Sequence, residues 1–538
     1  MFVRVKRVRT NGRDYRYLQV VETRRERGRI TQHIVANFGR LEEVVASGDL
    51  DRVIAGLVAH SQTLQLIQRY RGGALQATSD KVWGPVLIFE RLWADLDLPA
   101  LLRRLVRRRR LAFDFERVVF ALVLQRILAP GSDRAGVKWA ETVHARGFET
   151  LRLPHYYRAL RVLWEQKVPI EQALYTKGLD LFNQPLDLVF FDTTSLYFEG
   201  QGPEGLARLG KSKDHRPDHP QVILGILMRR DGLPIACEVW PGNTADVTRV
   251  TVIADILRKR FAIERVVVVC DRGMVSAKNL AALEALGFQS IVGVKMRGVR
   301  EVRDEVLARA GRYQLVSENL QVKEVQVEDR RYIVCFNPEE AAKDRADREQ
   351  IVATLEKKLA SGGVKRLIPN RGYRRFLKVR AGQCTIDQQR VEEDARYDGK
   401  YVLRTTTDLP ADEVALAYKN LLWIERLFRD LKSLLETRPI YHHWVKDNVK
   451  GHIFACFLAL YLVVVLRKKI VALGRSVEWA DLIRDLSQLR AIGLQLDDQE
   501  YLLRTDLRGT AHVAFQAVGL RPPPLAQVLG GPPAEAEV

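Results

Sequence analysis

The segment LDLVFFDTTSLYFEG at residues 186–200 joins an apolar run to one aspartate, Asp192, and predicts the first strand of an α/β core. A second run, VVVVC at residues 266–270, is typical of a short buried strand and is followed at once by Asp271. A carboxylate beside such a run is costly to bury unless it is paired or binds a metal ion. Each aspartate taken alone has the alternative interpretation of capping a turn or the next helix.

A third acidic residue belongs to a long helix predicted from about residue 410 to residue 436. Tyr418, Glu425 and Lys432 follow one another at steps of seven residues, and each step returns to within about 20° of the previous residue around a helix. On one interpretation these three residues form a polar stripe beside the buried face of the helix. On the alternative interpretation the helix lies at the surface and the Glu425 side chain is simply solvated. The predicted buried face is a seam of apolar residues at positions 414, 417, 421, 424, 428, 431 and 435.

These three acids have a joint chemical interpretation. Cleavage of a phosphodiester bond uses two cations about 3.5–4 Å apart, and Mg²⁺ prefers carboxylate oxygens as ligands. The sequence therefore predicts that Asp192, Asp271 and Glu425 are catalytic residues that bind metal. The nearby cationic side chains that are candidates for holding phosphates are Arg272, Arg429 and Lys432.

The rest of the chain predicts an α/β multidomain protein. Residues 1–40 are rich in arginine, including Arg7 and Arg9, and predict a basic β-meander with a hairpin turn at Asn11-Gly12. Residues 41–180 predict a helical domain that recognises DNA ends. The predicted α/β core spans 181–296 and 401–440, an insertion subdomain spans 297–400, a C-terminal helical region spans 441–520, and a disordered tail spans 521–538.

The amino-acid composition limits the kinds of binding partner and the cellular compartment that we expect for this protein. The formal net charge of +20 and the pI of about 9.8 suit a polyanion, either a nucleic acid or an anionic membrane. The five cysteines are scattered without CxxC spacing, so a thiolate zinc site and a disulfide framework are not expected. The longest apolar stretch, residues 453–466, is shorter than the ~20 residues of a membrane span. We expect a buried helix there and a cytoplasmic protein.

Four blocks of sequence resemble the bacterial insertion-sequence DDE transposases, in the IS-four-like group with a YREK signature. They cover most of residues 185–465. The signature is Tyr, two residues, Arg, three residues, Glu, six residues, Lys, and Tyr418, Glu425 and Lys432 fit its spacing, whereas position 421 is Leu. The blocks are FFDTTSLYFEG at 190–200, DGLPIACEVWPGNTAD at 231–246, CDRGMVSAKNL at 270–280 and YKNLLWIERLFRDLKSLLETRPIYH at 418–442.

The resemblance implies an RNase H-like catalytic core with a β-rich insertion between Asp271 and Glu425. It implies two Mg²⁺ ions, with Mn²⁺ as a substitute, and double-stranded DNA as partner, both as terminal inverted repeats and as target. It also implies a homodimer in the DNA complex, associated with the bacterial nucleoid, and attack by water and then by a 3′-hydroxyl. Relatives that flip a base use an insertion tryptophan, and this chain has none between Asp271 and Trp423.

Further basic residues are candidates for DNA contact. Lys213 lies in the polar loop 209–221, and Lys295 directly follows a predicted strand. With Tyr418, Lys432, Arg429 and Arg272 they complete the predicted DNA-binding set. Two alternatives to a transposase are a structure-specific nuclease or resolvase of the same fold, and a domesticated, non-catalytic DNA-binding protein. Transfer of a 3′-hydroxyl end into a second duplex separates the first alternative from a transposase.

Overall fold

The computed structural model describes most of the 538-residue chain. The described residues are 2–10, 13–26, 29–58, 75–182, 188–244, 252–253, 255–261, 267–270, 277–285, 287–360, 371–380, 383–441, 444–496 and 499–529. The chain folds into two compact units. The first is made of Met1–Gly84, Ala480–His512 and Arg521–Val538, and the second of Pro85–Trp479 and Val513–Leu520.

Alternating and continuous apolar runs produce the strands. Those in the described part of the chain are β1 (Phe2–Thr10), β2 (Arg13–Glu26), β3 (Arg29–Arg40), β4 (Leu75–Val82), β5 (Leu188–Glu199), β6 (Gln221–Arg229), β7 (Pro234–Pro241), β8 (Val267–Cys270), β9 (Gln289–Val294), β10 (Gln314–Ser317), β11 (Leu320–Val327), β12 (Arg330–Phe336), β13 (Leu377–Arg380), β14 (Gln383–Ile386), β15 (Lys400–Thr405), β16 (Ile440–Tyr441), β17 (Arg490–Leu496), β18 (Gln499–Arg504) and β19 (Ala526–Leu529).

Helices occupy much of the remaining chain. The described α-helices are Leu41–Ala46, Asp49–Val58, Gly84–Asp95, Leu98–Val106, Phe115–Leu128, Asp133–Ala140, Leu153–Glu165, Lys167–Phe182, Ala277–Ala285, Pro338–Ala360, Arg371–Arg374, Gln388–Ala395, Ala411–Lys419, Leu421–Arg429, Lys446–Ala472, Trp479–Ser487 and Ala511–Ala517. Short π-helical turns lie at Ile256–Arg260, Val302–Val306 and Asp430–Leu434, and a 3₁₀ turn lies at Phe148–Thr150.

The first unit contains two antiparallel sheets. Strands β1, β2 and β3 form the predicted meander, and Thr10 pairs with Arg13 across the predicted turn, whose residues 11 and 12 lie outside the described part. The second sheet has the order β19-β18-β17-β4. The prediction of an all-helical region over 441–520 is therefore wrong at β17 and β18, whereas Ala511–Ala517 is helical, and the predicted disordered tail contains β19.

Two features of the chain explain why strand β17 was not predicted. β17 alternates buried Ala491, Leu494 and Leu496 with more exposed positions, but its partner β4 lies about four hundred residues earlier, inside the predicted helical domain. Its other partner, β18, is adjacent in sequence, but the two residues between these strands are Asp497 and Asp498 rather than a pair that contains glycine, so the strongest hairpin signal is missing. Residues 530–538 of the predicted tail lie outside the described residues.

The second unit is built on a large mixed sheet with the order β10-β11-β12-β15-β9-β8-β5-β6-β7, to which β16 adds beside β5. Strands β5, β8 and β9 are parallel to one another, and β6 and β7 form the predicted hairpin. A cluster of buried apolar side chains that includes Phe191, Leu257, Val268 and Leu283 packs against one face of this sheet. The predicted order of three strands followed by two single strands is thus confirmed.

The predicted insertion subdomain divides into two parts. Its hairpin, β11 with β12, does not form a separate sheet, because β12 pairs with β15 and so extends the central sheet. Ile333, Val334 and Cys335 of β12 are completely buried, and the two neighbouring strands supply their backbone partners. The described residues of the helices Pro338–Ala360 and Gln388–Ala395 and of the hairpin β13–β14 instead share their own small core, which includes Leu355, Phe376 and Leu377.

A long apolar helix, Lys446–Ala472, lies in the core of the second unit. It packs against the helices Leu153–Glu165 and Phe115–Leu128, and a Cβ atom on Gly451 would lie 2.1 Å from Leu160 O, so this crossing requires glycine. In the described part of the chain it alone meets the length and composition of a membrane-crossing helix, and 94% of its most apolar window is buried. The prediction of a buried helix is confirmed.

The helix predicted over 410–436 is interrupted. Ala411–Lys419 and Leu421–Arg429 meet at Asn420, and the π-helical turn Asp430–Leu434 follows. All seven residues of the predicted apolar seam are buried. A π-helical turn places more residues in each turn than an α-helix does, so the seven-residue step from Glu425 to Lys432 does not return to the same side.

Candidate active site

Asp192 lies in the middle of β5, between the parallel strand β8 and the antiparallel strand β6. Successive side chains of a strand face opposite sides of the sheet. Phe191 packs into the apolar cluster, so Asp192 faces the other side. Its side chain is 12% exposed. Its Oδ1 accepts hydrogen bonds from Thr193 N at 2.7 Å and from Lys213 Nζ at 3.2 Å.

The second predicted aspartate is not described. Asp271 and Arg272 lie outside the described residues. The strand that precedes Asp271 is described, and its last residue, Cys270, pairs in parallel register with Phe191, the neighbour of Asp192. The structure therefore defines the end of β8 beside the position of Asp192.

Glu425 lies on the helix Leu421–Arg429, with an exposed side chain. It lines a cavity of about 260 Å³ that is also lined by Asp192, Tyr401 and Tyr418. Among the residues that the structure describes, the Glu425 carboxylate has no hydrogen-bond or ion-pair partner. The fold thus brings two of the three predicted acids, far apart in the sequence, to one cavity.

A second cavity, of about 560 Å³, is lined by Tyr401, Tyr418 and Glu425 as the first cavity is. Lys295, Arg297 and Lys400 line it. Lys295 directly follows β9, as predicted, and lies near the third acid. The ring of Tyr418 stacks on Tyr401 with a centroid distance of 5.9 Å. Burial raises the pKa of Tyr401 above its usual value, and burial together with Arg396 lowers the pKa of Lys400.

The predicted DNA contact Lys432 is engaged within the protein. Its ammonium group donates to Asp214 Oδ1 at 2.8 Å, and Arg438 Nε lies 3.1 Å from Asp214 Oδ2. Burial lowers the pKa of Lys432, and the Asp214 carboxylate opposes that shift. Sequence analysis did not single out Asp214 or Arg438, because a charged residue in a polar loop has the same local pattern whether it is solvated or paired.

The remaining predicted cations differ in their surroundings. Lys213 is half exposed, and its Nζ donates to both Asp192 and the carbonyl oxygen of Thr193. Arg429 is exposed at the end of its helix and lines neither of the two cavities. Leu421, where the YREK signature has arginine, is buried in the seam at 8% exposure.

The residues of the first cavity suit a divalent cation. Asp192 and Glu425 supply carboxylate oxygens, the ligand type that Mg²⁺ prefers. Asp192 already has a cationic neighbour in this structure, the ammonium group of Lys213. The side chain of Lys213 is half exposed, so a metal ion that binds Asp192 can displace the ammonium group into solvent. No group of three or more metal-ligand residues is assembled within the described ranges, which omit Asp271.

Comparison with known proteins identifies the family. The model of the IS1634 family transposase N-terminal domain matches residues 3–70, and the model of the transposase DDE domain matches residues 183–462, more than half of the chain. No protein of curated function matches. A solved structure of a piggyBac transposase synaptic complex with hairpin DNA is similar over 75% of this chain and 79% of its own, at 11% identity and a TM-score of 0.37. The chain is therefore an insertion-sequence DDE transposase, a metal-dependent enzyme that cleaves DNA and transfers the cut strand.

Proposed function

We propose that Asp192, Asp271 and Glu425 are the catalytic acids of this transposase and hold two Mg²⁺ ions, for which Mn²⁺ can substitute. The observation that supports this proposal is the cavity shared by Asp192 and Glu425. Asp192 reaches it from the middle of a buried strand, and Glu425 reaches it from a helix with its carboxylate unpaired in the described structure.

The proposal for Asp271 rests on connectivity. Asp271 follows Cys270, whose register partner on β5 is the residue before Asp192. Consecutive Cα atoms are about 3.8 Å apart, so the backbone of Asp271 cannot lie far from that register. The parallel order of β5, β8 and β9 beside the antiparallel hairpin also supports an RNase H-like core.

The side chains around the two cavities have distinct roles in this proposal. When bound, divalent ions activate the attacking oxygen and stabilise the leaving oxygen of the phosphodiester. Asp192 and Glu425 supply carboxylate oxygens to the first cavity, one from a strand and one from a helix. Lys295 and Lys400 attract the DNA backbone toward the second cavity, where Tyr418 lies between the two sites.

The positively charged side chains around the acids support a proposed path for the DNA backbone. Lys213, Arg272 and Arg429 contact phosphates near the acids. Lys432 and Arg438 share the single carboxylate of Asp214, so this cluster keeps a net positive charge that favours phosphates nearby. Leu421 belongs to the apolar seam, so the arginine contact of the YREK signature is missing and membership in the IS-four-like group rests on the other three positions.

The substrate in this proposal is the pair of terminal inverted repeats of the element, followed by target DNA. The basic meander and the helical part before β5 bind the repeats, because they hold exposed arginine such as Arg7 and Arg107. Two copies of the chain hold the two DNA ends in the cytoplasm, at the nucleoid.

Paired substitutions test the assignment of the acids. Asp192→Asn and Glu425→Gln should abolish cleavage and strand transfer on a duplex carrying the element's ends, while binding of that duplex persists. Glu413→Gln is the matched control, because Glu413 is an exposed acid one helix earlier. Normal cleavage by Asp192→Asn in Mg²⁺ would contradict the proposal. Cleavage without transfer by the native protein would favour a nuclease.

A further inference from the structure

Two consecutive residues of the loop between β5 and β6 contact different elements of the second unit. Lys213 contacts the strand that carries Asp192, and Asp214 contacts the segment that follows the helix of Glu425. The loop therefore connects the two elements that supply the described acids of the candidate active site. Neither connection follows from the metal chemistry proposed above.

The attachment to β5 uses both the backbone and the side chain of Lys213. The amide nitrogen of Lys213 donates to Ser195 Oγ at 2.8 Å. Its ammonium group donates to Asp192 Oδ1 and to the carbonyl oxygen of Thr193. The hydroxyl of Ser212 stabilises the turn, because it accepts from the amides of Asp214 and Arg216 at 3.1 and 3.2 Å.

The second attachment joins the loop to the segment that follows the helix of Glu425, and it is a buried cluster of charged side chains. Asp214 Oδ1 accepts from Lys432 Nζ at 2.8 Å, and Asp214 Oδ2 lies 3.1 Å from Arg438 Nε. The side chains of Asp214 and Lys432 are 8% and 12% exposed. Removing one partner from such a cluster leaves uncompensated buried charge, so the contact resists being opened.

We propose that Asp214 is a positioning residue that holds the helix of Glu425 against the strand of Asp192 and so prepares the site for divalent cations. The inference rests on the proposed function, because it needs both carboxylates to bind the ions. Lys432 and Arg438 transmit the contact: Lys432 lies in the π-helical turn that continues the helix of Glu425, and Arg438 follows that turn. Asp214 itself does not line the first cavity and contributes no ligand.

The affinity for Mn²⁺, measured by electron paramagnetic resonance on the full chain without DNA, tests this role. Asp214→Asn should weaken Mn²⁺ binding about ten-fold or more, the loss typical when a group that orients a metal ligand is removed. Asp214→Glu keeps the charge and should recover most of the affinity. Lys432→Met should weaken binding in the same direction, and its effect should not add to that of Asp214→Asn because both break one contact.

Asp218→Asn is the matched control, since Asp218 is an exposed acid of the same loop that pairs only locally with Arg216 and His219, and its Mn²⁺ affinity should be unchanged. Folded Asp214→Asn protein with native affinity would overturn the inference. If Asp214→Asn does not fold, the Mn²⁺ affinity of folded Lys432→Met tests the inference instead, and a native affinity would overturn it. If Asp192→Asn also retains native affinity, the proposed function fails and this inference fails with it. Weak binding by Asp192→Asn beside native binding by Asp214→Asn refutes the inference alone.

Discussion

The Lys213 ammonium lies 3.2 Å from Oδ1 of Asp192, the carboxylate that the fold buries in the middle of its central sheet. The two residues belong to different kinds of structure, a strand in the core and a polar loop. The lysine neutralises an acid that would otherwise be costly to bury. A cation that binds Asp192 must compete with this ammonium group.

That competition predicts the effect of Lys213→Met. The variant keeps the backbone attachment of the loop from Lys213 N to Ser195 Oγ and should bind Mn²⁺ about 1.5- to five-fold more tightly, since half-exposed ion pairs contribute only about 0.2–1 kcal/mol. Titration followed by electron paramagnetic resonance measures the change. Lys211→Met is the control, because Lys211 is exposed on the same loop and should leave the affinity unchanged. Weaker binding by Lys213→Met would show that the lysine supports the cation site.

Restoring the signature arginine should damage the protein. Leu421 is 8% exposed in the apolar seam, so Leu421→Arg forces a charge into the core and should lower the free energy of unfolding by about 2–4 kcal/mol. Urea unfolding measures this loss. The adjacent Leu422 is 57% exposed, and Leu422→Arg should change stability by less than about 0.5 kcal/mol. A stable Leu421→Arg protein with stronger DNA binding would contradict this view.

A buried ion network should stabilise the second unit. Glu171 is completely buried and accepts from Lys167, from Arg260 and from the backbone of Cys237. Glu171→Gln removes the more buried of the two carboxylates that compensate Lys167 and Arg260, the other being Glu238, and should lower the free energy of unfolding by about 3–5 kcal/mol. Glu165→Gln is the control, because its pair with Arg109 is partly exposed and should contribute about 1 kcal/mol or less. Equal unfolding midpoints for the two variants would refute the prediction.

The basic meander should contribute to the salt dependence of DNA binding. Arg7 and Arg9 are exposed on β1, and replacing both with glutamine should flatten the slope of log affinity against log salt by about two. Fluorescence anisotropy on a duplex with the inverted repeats measures the slope. Arg16→Gln is the control, since Arg16 pairs with Glu42 at 2.5 Å. An unchanged slope in the double variant would place the phosphate contacts elsewhere.

Local pattern predicted much of the fold correctly. The apolar run before Asp192 predicted β5, and the seven seam residues predicted the buried face of the third-acid helix, since hydrophobic periodicity reflects which side of an element is buried. The prediction was wrong where pairing is distant in the chain. Strand β17 finds β4, and β12 finds β15, through contacts that no short window of sequence contains.

The sequence by itself determined the family, because a match to the transposase DDE domain over residues 183–462 depends only on the linear order of residues. Only the tertiary structure decided that Asp192 and Glu425 line one cavity and that Lys432 is held by Asp214. The reason is physical: the local sequence around an acidic or basic residue is the same whether its side chain is solvated or belongs to a buried ion pair. Its partner is chosen by how distant strands and helices pack.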